Sequence, residues 1–145
     1  MKNRILGIDY GSKRIGIALS DETNSIAFGK NAIDNDEKCL DEISGFIKDN
    51  NVSTVLLGYP LNLKGDKTRQ TLEVESFEKK LDRHFTKSLN HLVTIIQWDE
   101  RFTSKMAFDS MLQSGMKKSK RRDKENIDII SASLMLQSYL DFKNK

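Results

Sequence analysis

The sequence predicts an α/β fold with a mixed central sheet flanked by helices, in the order β-β-β-α-β-α-β-α-α. Three observations carry that expectation. Three short apolar runs open the chain before any helical pattern begins. Two further apolar runs then alternate with segments whose apolar residues recur every three to four positions. Alternation of that kind implies parallel pairing through crossover helices, and an opening hairpin makes the sheet mixed.

The elements follow in order. Residues 4–9 are an apolar run that ends in the carboxylate of Asp9, and Tyr10-Gly11-Ser12-Lys13 reads as a tight turn. Residues 15–20, rich in Ile, Ala and Leu, form a second strand, and residues 26–33 a weaker third. Asp34, with Glu37 three residues on, has the pattern of a helix N-cap. Leu40, Ile43 and Ile47, with Cys39 and Phe46 beside them, make a helical stripe that stops near Asn50-Asn51. Residues 52–58 read as a buried strand ended by Tyr59-Pro60, and a polar loop containing Gly65 follows. Residues 68–87 place Val74, Phe77, Leu81 and Phe85 on one helical face. Residues 93–99 are another apolar strand, and it too ends in carboxylates, Asp99-Glu100. Thr103 or Ser104 is placed to cap a helix carrying Phe108, Met111 and Leu112. A basic loop over 115–124 leads into a last helix over 125–142, with Ile127, Ile130 and Leu134 on one face.

Composition sets the outer bounds. A chain of 145 residues suits one domain, taken as 1–145, and can bury a core without staples. Hydrophobic content of 37% and charged content of 31% exclude a collagen-like chain and a disordered tail. No apolar run approaches the ~18 residues of a membrane span. The apolar run after Arg4 is too short for the core of a signal peptide. The single cysteine, Cys39, cannot form an internal disulfide or a cysteine-based zinc site, and it fits a reducing cytoplasm. With 24 Lys+Arg against 21 Asp+Glu the net charge is +3, which permits a nucleic-acid partner without requiring one.

Ligands of such sheets sit at the carboxyl ends of strands, and two strands deliver acids there: Asp9, and Asp99-Glu100. Asp9 also suits a simple turn residue, and Glu100 a solvated strand end beside Arg101. Asp128 lies one turn into the last helix, where an acid is favoured by the helix dipole alone. Its neighbours on that face are Ser131, Ala132 and Met135, and the small residues among them would let the helix approach the sheet closely. Three carboxylates at one point repel each other, and a hard divalent cation relieves the conflict. Oxygen ligands suit Mg²⁺ or Mn²⁺, and two such ions about 4 Å apart can clamp a phosphodiester. Lys117-Lys118-Ser119-Lys120-Arg121-Arg122-Asp123-Lys124 holds six basic residues in eight, either a solvated charge run or a phosphate-binding segment. Lys13-Arg14 is a smaller pair with the same two readings. His84 and His91 lack metal-ligand spacing, and Trp98 suits the core.

The motifs resemble those of the YqgF (RuvX) family along nearly the whole chain. Leu6-Gly7-Ile8-Asp9-Tyr10-Gly11-Ser12-Lys13-Arg14-Ile15-Gly16-Ile17-Ala18 is similar to its opening motif. Gly58-Tyr59-Pro60-Leu61-Asn62-Leu63-Lys64-Gly65 resembles the second, and Asp99-Glu100-Arg101-Phe102-Thr103-Ser104 the third. Asp128 with Ser131-Ala132 resembles the last, with Ser131 in place of an alanine. Tyr59 and Phe102 stand where aliphatic residues are common, a difference of pocket shape. The resemblance implies an RNase H-like fold and places the family's acids at Asp9, Glu100 and Asp128. It assigns no fourth acid, since Asp99 would point to the opposite face of a regular strand.

The expectation from residues and resemblance together is a metal-dependent endonuclease acting on structured nucleic acid. Asp9, Glu100 and Asp128 would bind two Mg²⁺ or Mn²⁺ ions. Lys13, Arg14, Arg101, Lys117, Lys118, Lys120, Arg121, Arg122 and Lys124 would hold the backbone. The resemblance suggests ribosomal RNA precursor ends as substrate and leaves a four-way DNA junction as the alternative, the latter requiring a homodimer. Two rival classes remain at this point. A non-catalytic RNA-binding assembly factor needs the basic segment and not the acids. A nucleotide-binding domain of the actin-like type shares the Asp9-Tyr10-Gly11-Ser12 loop but uses two such domains around its cleft.

Overall fold

The computed structural model describes residues 3–103, Lys105, Asp109 and residues 124–145. β1 (Arg4–Tyr10) and β2 (Arg14–Ser20) form the expected antiparallel hairpin, with Asp9 opposite Gly16. Gly11 makes the turn possible, because a Cβ there would sit 2.4 Å from the Arg14 carbonyl oxygen. Asn35 closes it: the side-chain amide donates to the Gly11 carbonyl at 2.9 Å and the backbone N–H to the Lys13 carbonyl at 2.9 Å. β3 (Ala27–Asp34) pairs antiparallel with β2, while β4 (Val52–Tyr59) and β5 (Thr94–Asp99) add in parallel on the other side of β1. The order across the mixed sheet is β3-β2-β1-β4-β5.

One expected cap is replaced. Asp34 does not start a helix but ends β3, opposite Arg14. α1 (Cys39–Asp49) begins only at Cys39, after a turn in which the Asp36 carboxylate accepts the Lys38 N–H at 2.9 Å. A helix cap is worth about 1 kcal/mol, and the continuing ladder with β2 supersedes it. α2 (Arg69–Ser88) starts where the sequence puts it. Thr68 and Thr71 exchange reciprocal side-chain bonds, and the Thr71 hydroxyl also donates to the Pro60 carbonyl, tying the helix start to the end of β4. The helix expected to carry Phe108, Met111 and Leu112 lies outside the described residues. So does the basic loop except for Lys124, which opens the final helix, α3 (Lys124–Lys143).

The sheet is covered on both faces, so its inner strands are apolar almost throughout. Leu6, Ile8, Ile15, Ile17 and Leu57 meet Ile43 and Ile47 of α1 and Phe77 and Leu81 of α2. On the other face Ile5, Ala18, Leu56 and Trp98 meet Ala132, Met135, Leu136 and Leu140 of α3. Full burial of a leucine stabilises by roughly 1.5–3 kcal/mol.

Glycines set how near α3 comes to the sheet. A Cβ at Gly7 would lie 3.1 Å from the Leu136 Cβ, and one at Gly29 2.4 Å from the Ile129 Cγ2. A Cβ at Gly16 would lie 2.2 Å from the backbone carbonyl oxygen of Asp128. That neighbour is main chain, so the helix itself would have to move. Gly16→Ala is therefore expected to cost about 1–3 kcal/mol as overpacking. Gly45→Ala, in α1 with nothing within 4 Å of its Cβ, is expected to leave stability unchanged or raise it by up to ~1 kcal/mol. Urea unfolding of the two variants checks this, and equal midpoints would contradict the close contact at Gly16.

Candidate active site

The parallel strands β1, β4 and β5 end on the same side of the sheet, and the acids gather there. Asp9 is near the end of β1. Glu100 opens a short 3-10 turn, Glu100–Phe102, directly after β5. β4 lies between those two strands, and Gly58 lets Glu100 cross it: a Cβ at Gly58 would sit 2.6 Å from Glu100 Oε1. Asp128 comes from the first turns of α3, held close by the contact over Gly16.

Asp9 and Glu100 are hydrogen-bonded to each other, with Glu100 as the protonated donor and Asp9 as the acceptor. Burial, the Asp9 charge and that bond push Glu100 up to about 8. Burial also raises Asp9 above the usual carboxylate range. The Ser131 hydroxyl, donating to Asp9, and the Glu100 bond oppose that rise, while the Asp128 charge adds to it. Asp128 is thus near enough to be felt by Asp9, yet its own carboxylate is turned to Arg14, whose Nε donates to Oδ2 at 3.0 Å. The structure therefore brings two of the three expected acids into direct contact and holds the third beside them in an ion pair.

Asp9 and Glu100 line an open cleft of about 310 Å³ with Gln70, Thr103, Lys105 and Ser131, against an apolar wall of Leu134 and Met135. Several of these residues escaped the sequence reading. Ser131 was legible only as a small spacer, not as a donor to Asp9. Thr103 was legible only as a possible cap, yet its buried hydroxyl oxygen has no hydrogen-bond partner among the described residues. Gln70 reaches the cleft from the start of α2, and no local signal foretells that.

The expected backbone-binding residues are divided. Lys13 is exposed on the hairpin turn. Arg14 is engaged by Asp128. Arg101 straddles Asp99, with Nε at 3.0 Å from each carboxylate oxygen and Nη2 at 2.6 Å from Oδ2. Asp99 also accepts the Arg101 backbone N–H at 3.0 Å, so it caps the turn and stays out of the cleft, although its charge helps raise Glu100. Gly65, at φ +87°, packs its loop against that guanidinium. Tyr59 turns its hydroxyl to Glu75 at 2.8 Å, and Phe102 lies exposed against the Trp98 ring. Lys117, Lys118, Lys120, Arg121 and Arg122 lie outside the described residues.

The donors suit a hard dication in kind. Asp9 and Glu100 offer carboxyl oxygens alone, and the proton they share marks a place short of positive charge. Among the described residues, however, no three Asp, Glu, His or Cys side chains are drawn together closely enough to hold a metal ion as they stand. Asp128, the third expected acid, is paired with Arg14 instead.

A five-stranded mixed sheet of this order, with an acid near the end of its first strand and a helix laid across the opposite face from α1 and α2, defines an RNase H-like α/β protein. Solved structures of that kind align along nearly all of it. Thermus thermophilus RuvC in complex with a Holliday junction substrate matches with a TM-score of 0.61 at 11% identity, covering 97% of this chain and 96% of that one. The fowlpox virus resolvase in complex with Holliday junction DNA matches with a TM-score of 0.58 at 14% identity, covering 98% and 99%. The family model RuvX, described as Holliday junction resolvase, matches residues 3–142, and the chain belongs to that family. A Flavobacterium psychrophilum relative, provisionally named pre-16S rRNA nuclease, is 41% identical over 140 residues, 97% of this chain and 98% of its own. A Sulfurihydrogenibium relative with the same name is 40% identical over 139 residues, 96% of this chain and 90% of its own. Among the described residues no helix is long and apolar enough to cross a membrane.

The shared proton has a thermodynamic consequence. The Glu100 carboxyl, pushed up to about 8 in the folded protein by burial and the Asp9 charge, returns toward its ordinary 4.5 in the unfolded chain. Between those values the folded state holds a proton that the unfolded state has released, so metal-free stability falls as pH rises through that interval. The raised Asp9 adds to the same slope. Glu100→Gln should be more stable than wild type at pH 8 by about 1 kcal/mol or more, and close to it at pH 4.5. Thermal unfolding in EDTA at the two pH values checks this; a difference independent of pH would show that the proton is not held at Glu100.

Proposed function

We propose that the chain is a metal-dependent endonuclease that hydrolyses phosphodiester bonds in structured nucleic acid, with precursor 16S rRNA ends as its substrate. The observation that carries this reading is the hydrogen-bonded Asp9–Glu100 pair lining an open cleft at the strand ends. Two half-buried carboxyls in contact without a cation are costly, and such pairs concentrate at functional sites. The names of the relatives support the choice of RNA.

In this reading residues 1–145 act as one cytoplasmic domain. Asp9, Glu100 and Asp128 are the groups that would hold the ions, two Mg²⁺ or Mn²⁺ in number. Bound there, the ions would neutralise charge developing on the phosphodiester oxygens and lower the pKa of the attacking water. The chain supplies the rest. Ser131 orients Asp9 through its hydroxyl. Thr103, its hydroxyl otherwise unpartnered, and Lys105 stand at the cleft to meet phosphate oxygens. Lys13, Arg14 and Arg101, with the basic segment 117–124, hold the backbone by charge.

A DNA junction is the second reading, favoured by the Holliday junctions in the matching structures. It would require a homodimer, since two strands must be cut symmetrically.

Cleavage assays of a precursor 16S rRNA end and a four-way DNA junction, with Mg²⁺, Mn²⁺ or EDTA, decide among these. Wild type should cut the RNA only with a divalent ion. Asp9→Asn and Asp128→Asn should each lose at least ~100-fold in rate while still binding the RNA. Cutting of the junction alone would favour the DNA reading. Salt-sensitive RNA binding with no cleavage under either metal would favour a non-catalytic assembly factor.

A further inference from the structure

Among the described residues, Arg14 is the one predicted backbone-binding residue that the fold aims at a predicted metal ligand. Its main chain has little freedom: the turn before it is locked at Gly11 and Asn35, and β2 pairs it with Asp34. Asp128 is equally fixed, since its carbonyl rests over Gly16. Any exchange of partners between the two must therefore be a side-chain event. The pair is built to be exchangeable. Arg14 meets Asp128 through Nε alone among the described residues, at 3.0 Å, with the two side chains 23% and 32% exposed. Arg101, by contrast, grips Asp99 with both Nε and Nη2. A one-contact, partly solvated ion pair contributes little net stability. The freed fork of an arginine, meanwhile, suits a phosphate with two parallel bonds.

We propose that Arg14 is a positioning residue that couples nucleic-acid binding to completion of the carboxylate set. In the free protein its guanidinium occupies Asp128, and a phosphate of the bound strand draws it away so that Asp128 turns toward Asp9 and Glu100. The inference rests on the nuclease reading above. It gives the protein a reason to bind divalent ions weakly until a strand is present, because the cationic guanidinium both repels a dication and withholds one of its ligands. Bound nucleic acid removes both obstacles in one movement.

The test is calorimetric titration of MnCl₂ into wild type, Arg14→Gln, Asp128→Asn and the double variant, without nucleic acid. Arg14→Gln should bind Mn²⁺ at least about threefold more tightly than wild type, the scale of a partly exposed ion pair released. In the Asp128→Asn background the same change should give no gain, since the ligand it liberates is absent. Arg14→Lys, which keeps the charge and the fold but loses the Nε contact, should fall between wild type and Arg14→Gln. Adding an RNA hairpin should tighten Mn²⁺ binding by wild type and not by Arg14→Gln. Equal or weaker Mn²⁺ binding by both Arg14 variants would overturn the coupling. So would a gain that persists alongside Asp128→Asn, which would reduce Arg14 to a general charge effect. Failure of every variant to bind Mn²⁺ would overturn it as well. Metal-dependent cleavage by wild type is read separately and tells whether the nuclease reading survives that failure.

Discussion

The close approach of α3 to the sheet is the constraint on which the site depends. Gly7 and Gly16 sit on the two strands that form the opening hairpin, and both leave room where a side chain would strike the helix. Because the contact at Gly16 is with the main chain of Asp128, the sheet fixes the height of that carboxylate directly. Two further residues depend on the same spacing. Ser131, the next turn of α3, reaches Asp9, and Ala132 is fully buried beneath. Gly58 does the corresponding work on the other side of Asp9 by clearing the path of Glu100 across β4. Close packing of helix on sheet is usually a matter of stability. Here it also decides whether three acids from distant parts of the chain are neighbours.

Neighbouring acids must be neutralised somehow, and the protein does so in two different ways. Asp9 and Glu100, which no basic side chain of the described residues is shown to pair, share a proton. Asp128, nearer the surface, takes an arginine. The difference follows from exposure. A guanidinium would lose much hydration in the space where Glu100 meets Asp9, whereas a proton costs nothing in volume. At the rim, a long arginine keeps water on one side and still reaches the carboxylate. Both devices place positive charge beside a carboxylate through side chains alone.

The sequence made some of this legible and hid the rest for physical reasons. Asp9 and Glu100 were visible because an apolar strand that ends in an acid is a local pattern, and parallel strands put such ends together. Asp128 was visible only through the small residues on its helical face, and the family resemblance pointed to the same acid. The Asp34 cap was a local pattern too, but strand pairing with β2 is non-local and overrode it. The roles of Ser131, Thr103 and Gln70 at the cleft, and the pairing of Arg14 with Asp128, were hidden for the same reason. Each joins segments far apart in the chain, and no periodicity encodes which partner a polar side chain will meet.

Arg14 shows why residue type and spacing alone do not assign a role. By type it belongs with Lys13 and Arg101 as a phosphate contact, and by position it follows the same turn as Lys13. Strand geometry separates them. Arg14 shares its face of β2 with Gly16 and Ala18, the face that meets α3, so its side chain is delivered to Asp128. Lys13 sits in the turn and stays exposed. Arg101 is committed to Asp99, the acid that caps its own turn. Three basic residues of one predicted class thus divide into an exposed charge, a turn brace and a residue placed between strand and acid. That last position is the one from which a change of partner alters the carboxylates themselves.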